Sequence, residues 1–146
     1  MITYNTLLTK LNSLISDKTT DLPFYDDLLR DASYAKRKGF LTEIVYIKPE
    51  DYIRMSAKNR NLTHDQEISG ISKKLVEKYE KRFIVIIKTD EQDQFPMPII
   101  APDGNQEGRH RTMALANVLQ RILNKNNNFT FYIDKVKIPV AIITKI

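Results

Sequence analysis

Nine consecutive residues, Asp103-Gly104-Asn105-Gln106-Glu107-Gly108-Arg109-His110-Arg111, gather groups able to bind an anion. They precede Leu115, Val118, Leu119 and Ile122, whose i, i+3, i+4, i+7 spacing predicts a helix over 112–123 with one buried stripe. A helix start carries free backbone N–H groups and a partial positive charge, so acidic side chains usually stand there. Here Arg109, His110 and Arg111 do, at a cost of about 0.3–1 kcal/mol per charge. A bound phosphate would reverse the sign, and Gly108 has no side chain to obstruct its approach to the backbone. Arg111 also lies four residues before Leu115, on the stripe predicted to be buried, where a guanidinium needs a fixed phosphate or carboxylate. Two readings follow. In one, the box holds phosphate; in the other, Glu107 or Asp103 pairs with Arg111 and the segment is a structural turn. Three basic residues after a glycine, at a strand-to-helix junction, make phosphate binding the expectation. His110 is suited to donating to that phosphate, carrying a proton near neutral pH, or capping the strand.

The only other histidine, His64, falls in a polar stretch, and two isolated histidines do not form a metal site. No protein-held metal is expected. A magnesium ion would arrive on the nucleotide's own phosphates. Asp103 and Glu107, the nearest carboxylates, suit turn and pairing roles better than metal ligation.

The box must be positioned by the elements around it. Leu7, Leu8, Leu11, Leu14 and Ile15 predict an amphipathic helix over 4–16, and a second helix is expected over 22–35. Glu43 to Lys48 reads as a strand. Pro49, Glu50 and Asp51 suit a helix start and predict a short helix over 50–57. Lys58 to Asp65 reads as a loop, Thr63 with Gln66 as a capping box, and Ser72 as another N-cap. Leu75, Val76 and Tyr79 predict a helix ending near Arg82. The β-branched run Phe83 to Lys88 predicts a buried strand, and Phe95 to Ile100, framed by Pro96 and Pro98, an edge strand. Asp103-Gly104 marks a turn. Asn124 to Asn128 reads as a loop, Phe129 to Ile133 alternates weakly, and Ile138 to Ile143 reads as a strand. The fold class expected is α+β: a small mixed β-sheet with flanking helices.

Composition narrows the chemistry. The chain has 146 residues, 42% of them apolar, as in an ordinary globular domain. It has no cysteine, which excludes disulfides, a thiolate zinc site and a cysteine nucleophile. Its apolar runs are too short to span a bilayer, and Met1-Ile2-Thr3-Tyr4-Asn5 is no basic leader, so a cytoplasmic location without membrane contact is expected. Lys and Arg number 23 against 18 Asp and Glu, a net charge of +5 that favours anionic partners. The densest cluster, Lys36-Arg37-Lys38, is short, and nucleic acid is the lesser expectation from charge alone.

Asp103-Gly104, Gln106-Glu107-Gly108-Arg109-His110-Arg111-Thr112-Met113-Ala114 and Ile138-Pro139-Val140 together resemble the core pattern of the ParB/sulfiredoxin superfamily. The Gln-Glu-Gly-Arg-His-Arg variant is similar to ParB-like domains of bacteriophages and mobile elements. The resemblance reaches upstream to Leu41, through Ile47-Lys48-Pro49 and the helix before Phe83. It implies a ParB/sulfiredoxin-like nucleotide-binding core over 39–146, preceded by a helical N-terminal extension over 1–38. It further implies a nucleoside triphosphate or diphosphate with Mg2+, its phosphates contacted by Gly108, Arg109, His110, Arg111 and Thr112, with Asp103, Gln106 and Glu107 in support.

Members of that superfamily include a CTP-dependent DNA-partition clamp, an ATP-dependent sulfinic-acid reductase and a free-serine kinase. Arg109 stands where the reductase has its cysteine, which sets that chemistry aside. Glu50, after Pro49, is similar in position to the kinase's acid near the first strand, so Glu50 is a catalytic candidate beside the proton-carrying His110, with capping of the 50–57 helix as the rival role for Glu50. The function expected is phosphate binding by a phage or mobile-element protein acting in DNA metabolism or host interaction. The alternatives are a phosphotransferase or nucleotide hydrolase with Glu50 or Glu107 as base, and a module that binds the DNA backbone without turnover. A triphosphate and DNA satisfy the same cations.

Overall fold

The computed structural model describes residues 3–22, 40–102, 104–125 and 133–145. Four strands form one mixed sheet: β1 (Phe40–Ile47), β2 (Ile99–Ile100), β3 (Gln106–Glu107) and β4 (Ile138–Lys145), in the spatial order β1-β4-β2-β3. β4 pairs antiparallel with β1, placing Ile47 opposite Ile138, and parallel with β2, placing Ile99 opposite Ala141. β2 pairs antiparallel with β3. The helices are α1 (Tyr4–Asn12), α2 (Pro49–Asn59), α3 (His64–Ser69), α4 (Lys73–Lys88) and α5 (Arg109–Lys125). This is the α+β architecture with a small mixed sheet that the sequence predicts.

Local chemistry accounts for most of the helix starts. Pro49 opens α2 with its φ already set, and Glu50 and Asp51 occupy the first turn. Thr63 and Gln66 form the reciprocal capping box of α3, while the Ser72 side chain accepts from the Leu75 N–H at the start of α4. Helix α1 is shorter than its periodicity suggests. It ends at Asn12, and Leu14 and Ile15 are buried in extended backbone, where Ile15 makes an isolated parallel bridge to Phe95. The helix expected over 22–35 lies, from Pro23 on, outside the described residues, as do residues 126–132.

Two expectations are corrected. Phe83 to Lys88 is the last part of α4, not a strand. Phe83, Ile86 and Ile87 continue the buried stripe begun by Val76 and Glu80, so packing on one helical face overrides the strand preference of a β-branched run. Of Phe95 to Ile100, only Ile99–Ile100 is a strand, and it is interior, with β4 on one side and β3 on the other. Pro98 is tolerated beside it because the ladder uses its carbonyl, which accepts from the Ala141 N–H at 2.9 Å.

The core sits between the sheet and the helices. Tyr52, Phe83, Met97, Ile99, Leu115, Ile138 and Val140 are fully buried there. Helix α5 packs on both α4 and α2, and the Glu107–Arg111 pair ties its first turn to β3.

Candidate functional site

The box begins at a backbone requirement. Gly108 has φ +113°, in the region that favours glycine, and a Cβ there would lie 2.9 Å from Pro98 Cα and Cβ. The chain therefore turns tightly against Pro98 before entering α5. Gly104, at φ +75°, serves the hairpin turn in the same way; Asp103 lies outside the described residues.

Helix α5 starts at Arg109, so the basic residues form its first turn, which contains no acidic side chain. The first backbone N–H with a helical acceptor is that of Thr112, to the Gly108 carbonyl at 3.0 Å. The N–H groups of Arg109, His110 and Arg111 meet no acceptor among the described residues.

The basic side chains themselves are engaged. Arg111 makes a two-pronged pair with Glu107, Nη1 to Oε1 at 2.5 Å and Nη2 to Oε2 at 2.6 Å, and Nη2 also donates to the Pro96 carbonyl at 3.1 Å. Its side chain is 7% exposed, and its Nε is buried without a partner. Burial works against the charge, but the hydrogen bonds to Glu107 and that carboxylate's field outweigh it and hold the guanidinium's pKa above its usual value. Arg109 reaches Glu67 Oε1 at 3.2 Å and the Gly70 carbonyl at 3.4 Å, with its side chain 23% exposed. His110 Nε2 accepts from the Ser72 N–H at 3.1 Å. Burial, then the neighbouring Arg109 charge, lowers the pKa of His110, so the ring is neutral near pH 7 and its proton sits on Nδ1.

Beneath the box lies a polar cluster that sequence reasoning did not find. Glu67 is fully buried on α3. Its Oε1 accepts from Ser56 Oγ and Arg109 Nη1, both at 3.2 Å, with Arg60 Nη1 at 4.0 Å, while Oε2 has no partner. Gln106 Nε2 donates to Ser56 Oγ, and Gln106 Oε1 accepts from Asn59 Nδ2 at 3.1 Å. The Tyr52 hydroxyl donates within reach of the Ile99 and Glu107 carbonyls, and burial, with Glu107 nearby, raises its pKa. Nothing in the sequence marks Glu67 as buried, because α3 is too short to show a periodicity. Ser72 was recognisable as an N-cap, but its backbone link to His110 was not.

The remaining expectations divide. Gly108, Arg109 and His110 come together at the helix start. Gln106 and Glu107 stand in β3 and act as internal partners, to α2 and to Arg111. The Thr112 hydroxyl is buried and donates to the Gly108 carbonyl at 2.8 Å, so it faces the helix and not a ligand. Glu50 is separated from the box. It is exposed at the N-terminus of α2, beside a small hollow lined by Ala116, Leu119, Gln120 and Leu123 of α5. Those residues lie roughly 10–20 Å along the helix from Arg109 at 1.5 Å per residue. The other end of α2, through Ser56 and Asn59, is the end that reaches the box. The pairing of Glu50 with His110 as a catalytic couple is therefore corrected: α2 and α5 run in opposite senses, which carries Glu50 away. Glu107, bound to Arg111 by both oxygens, is likewise no free base.

No protein-family model matches the chain, and neither does any curated protein or solved structure. Among the described residues no helix is long and apolar enough to cross a membrane.

Proposed function

We propose that the chain is a ParB-like phosphate-binding domain that takes a nucleoside triphosphate or diphosphate at the start of α5, as a phage or mobile-element protein acting in DNA metabolism or host interaction. One observation carries the reading. The first turn of a seventeen-residue helix offers three backbone N–H groups that meet no acceptor among the described residues, and it has no carboxylate of its own to offset its dipole. Side chains then take distinct roles. Arg111 and Glu107 form the frame. Arg109, on the rim, swings from Glu67 to the phosphate, and the Nδ1–H of neutral His110 donates without a charge. Among the described residues no cluster of His, Asp and Glu is gathered to hold a metal, so Mg2+ would be carried by the phosphates. With Glu50 remote and Glu107 occupied, binding is favoured over phosphotransfer.

The test is calorimetric titration with ATP, CTP, GTP, ADP and inorganic pyrophosphate, with and without magnesium. Binding is expected, and Arg109→Gln should weaken it about ten-fold to a hundred-fold, the loss of one charge-assisted contact of about 1.5–3 kcal/mol. Absence of binding by every one of these at millimolar concentration would end the reading.

A further inference from the structure

A second charged surface lies outside this site. On α4, Lys74, Lys78 and Lys81 recur at i, i+4 and i+7, and Val85 and Lys88 continue the row at i+11 and i+14. All are exposed, Val85 by 41%. Several arginines are paired with carboxylates: Arg54 with Asp51, Arg121 with Glu80 and, on α4 itself, Arg82 with Glu91 and Asp93. The α4 lysines have no carboxylate partner among the described residues, although Glu77 stands on the same helix. With Leu75, Val85, Glu77 and the paired Arg82 they line an open groove of about 840 Å3, where three unpaired lysines outnumber the one carboxylate. The groove starts at Ser72, the residue whose N–H His110 holds, so it runs away from the α5 start along α4.

The geometry points to this groove as a docking track for the sugar-phosphate backbone of duplex DNA. Charge complementarity selects the occupant. From Lys74 to Lys88 the row spans roughly 21 Å at 1.5 Å per residue, a length over which one strand of a duplex presents about six phosphates. Ammonium groups are point charges that hold a backbone without reading bases. Among the described residues no aromatic ring lines the groove, which disfavours the stacking that single strands use. An anionic membrane is less well matched. The broad apolar face of α4, Val76, Phe83, Ile86 and Ile87, is turned into the core, leaving only Leu75 and Val85 outward, whereas a helix lying in a lipid interface needs a wide apolar face. The inference stands on α4 alone and does not depend on nucleotide binding at α5.

Fluorescence anisotropy of the full chain with a labelled duplex of random sequence, over a salt series, tests it. Binding is expected, with log K falling linearly with log salt. Combined Lys74→Gln, Lys78→Gln and Lys81→Gln substitutions should reduce the steepness of that line by about 0.9 per lysine, or about 2.7 in all. They should weaken binding more than ten-fold at low salt and leave circular dichroism unchanged, because the three side chains are exposed. The control carries Lys18→Gln, Lys58→Gln and Lys125→Gln, the same loss of charge at other exposed positions, and should bind nearly as the parent does. Equal weakening by both triple variants would reduce the effect to net charge and overturn the track. So would no duplex binding at all, or binding to phosphatidylserine vesicles in its place. Arg109→Gln separates the two sites: it should impair nucleotide and leave the salt dependence on duplex unchanged.

Discussion

Arg111 has the charge of a ligand-binding residue and the environment of a structural one. Both oxygens of Glu107 and the Pro96 carbonyl use its two terminal nitrogens, and its side chain is almost wholly out of water. Breaking a buried pair from one side leaves the other charge stranded, typically at about 3–5 kcal/mol, and the partial exposure of Glu107 puts the lower figure nearer. Arg111→Ala should therefore lower stability by about 3 kcal/mol, read as the urea midpoint. Arg111→Met combined with Glu107→Gln should recover much of the loss. A single alanine variant as stable as the parent would show that the pair does not hold the hairpin to α5. The sequence reached this point with two readings of Arg111 and preferred phosphate; the pairing of Glu107 with Arg111, four residues apart, was the other. Spacing could name the pair, since Glu107 is the nearest carboxylate. It could not reveal that the Pro96 carbonyl, brought in by a separate loop, completes the guanidinium's shell.

At the scale of elements, one contact ties the starts of α4 and α5 together: the Ser72 N–H donating to His110 Nε2. Only the neutral ring can accept it. Burial, and after it Arg109, depress the folded-state pKa below the ordinary 6.5, with Glu107 and Glu67 opposing and Arg111 adding to the depression. The unfolded chain therefore binds the proton more readily, and stability rises with pH across that window. The contribution is complete above the unfolded value and is lost as pH falls below about 6.5 toward the lower folded value. Unfolding free energy should decline as pH falls through the ordinary imidazole range and below it, and His110→Gln, whose amide oxygen also accepts, should lose that part of the slope. An identical slope in the variant would place the titration elsewhere. The elements that declare themselves by local chemistry, α2, α3 and β4, were legible in the sequence because a proline, a capping box or an Ile-Pro-Val run fixes them where they stand. The end of α4 was not. Ile84-Val85-Ile86-Ile87 has the composition of a strand, and only its apposition to α5 decides for helix.

Across the whole molecule, the N-terminal segment shares the core with the sheet. Leu7, Leu11, Leu14 and Ile15 belong to the same buried cluster as Ile99, Val140 and Leu115. Further contacts hold the segment and the Phe95 bridge it meets. Phe95 N–H donates to the Leu14 carbonyl at 2.8 Å and Ser16 N–H to the Phe95 carbonyl at 2.9 Å. The Phe95 ring meets Phe83 edge-on at 4.7 Å between centroids. Lys10 Nζ donates to the carbonyls of Ile86, Ile87 and Thr89, at the negative end of α4. The helical spacing of residues 4–16 foretold an apolar face but not what it would cover, since its partners lie some eighty residues away and no local signal encodes the bridge to Phe95. Leu11 is 1% exposed, and Leu11→Ala should cost about 2–5 kcal/mol, the usual range for a buried leucine truncation that leaves a cavity. The loss should reach the sheet. If one cluster unfolds as one unit, circular dichroism and hydrogen exchange at the Ala141 amide, which donates to Pro98 in the centre of the sheet, will report the same destabilisation. If α1 were an independent appendage, Leu11→Ala would melt it in a separate early transition, and protection at Ala141 would be unchanged. The buried contacts made by Leu11, Leu14 and Phe95 favour the single transition, because removing any one opens space against α4, which packs directly on α5.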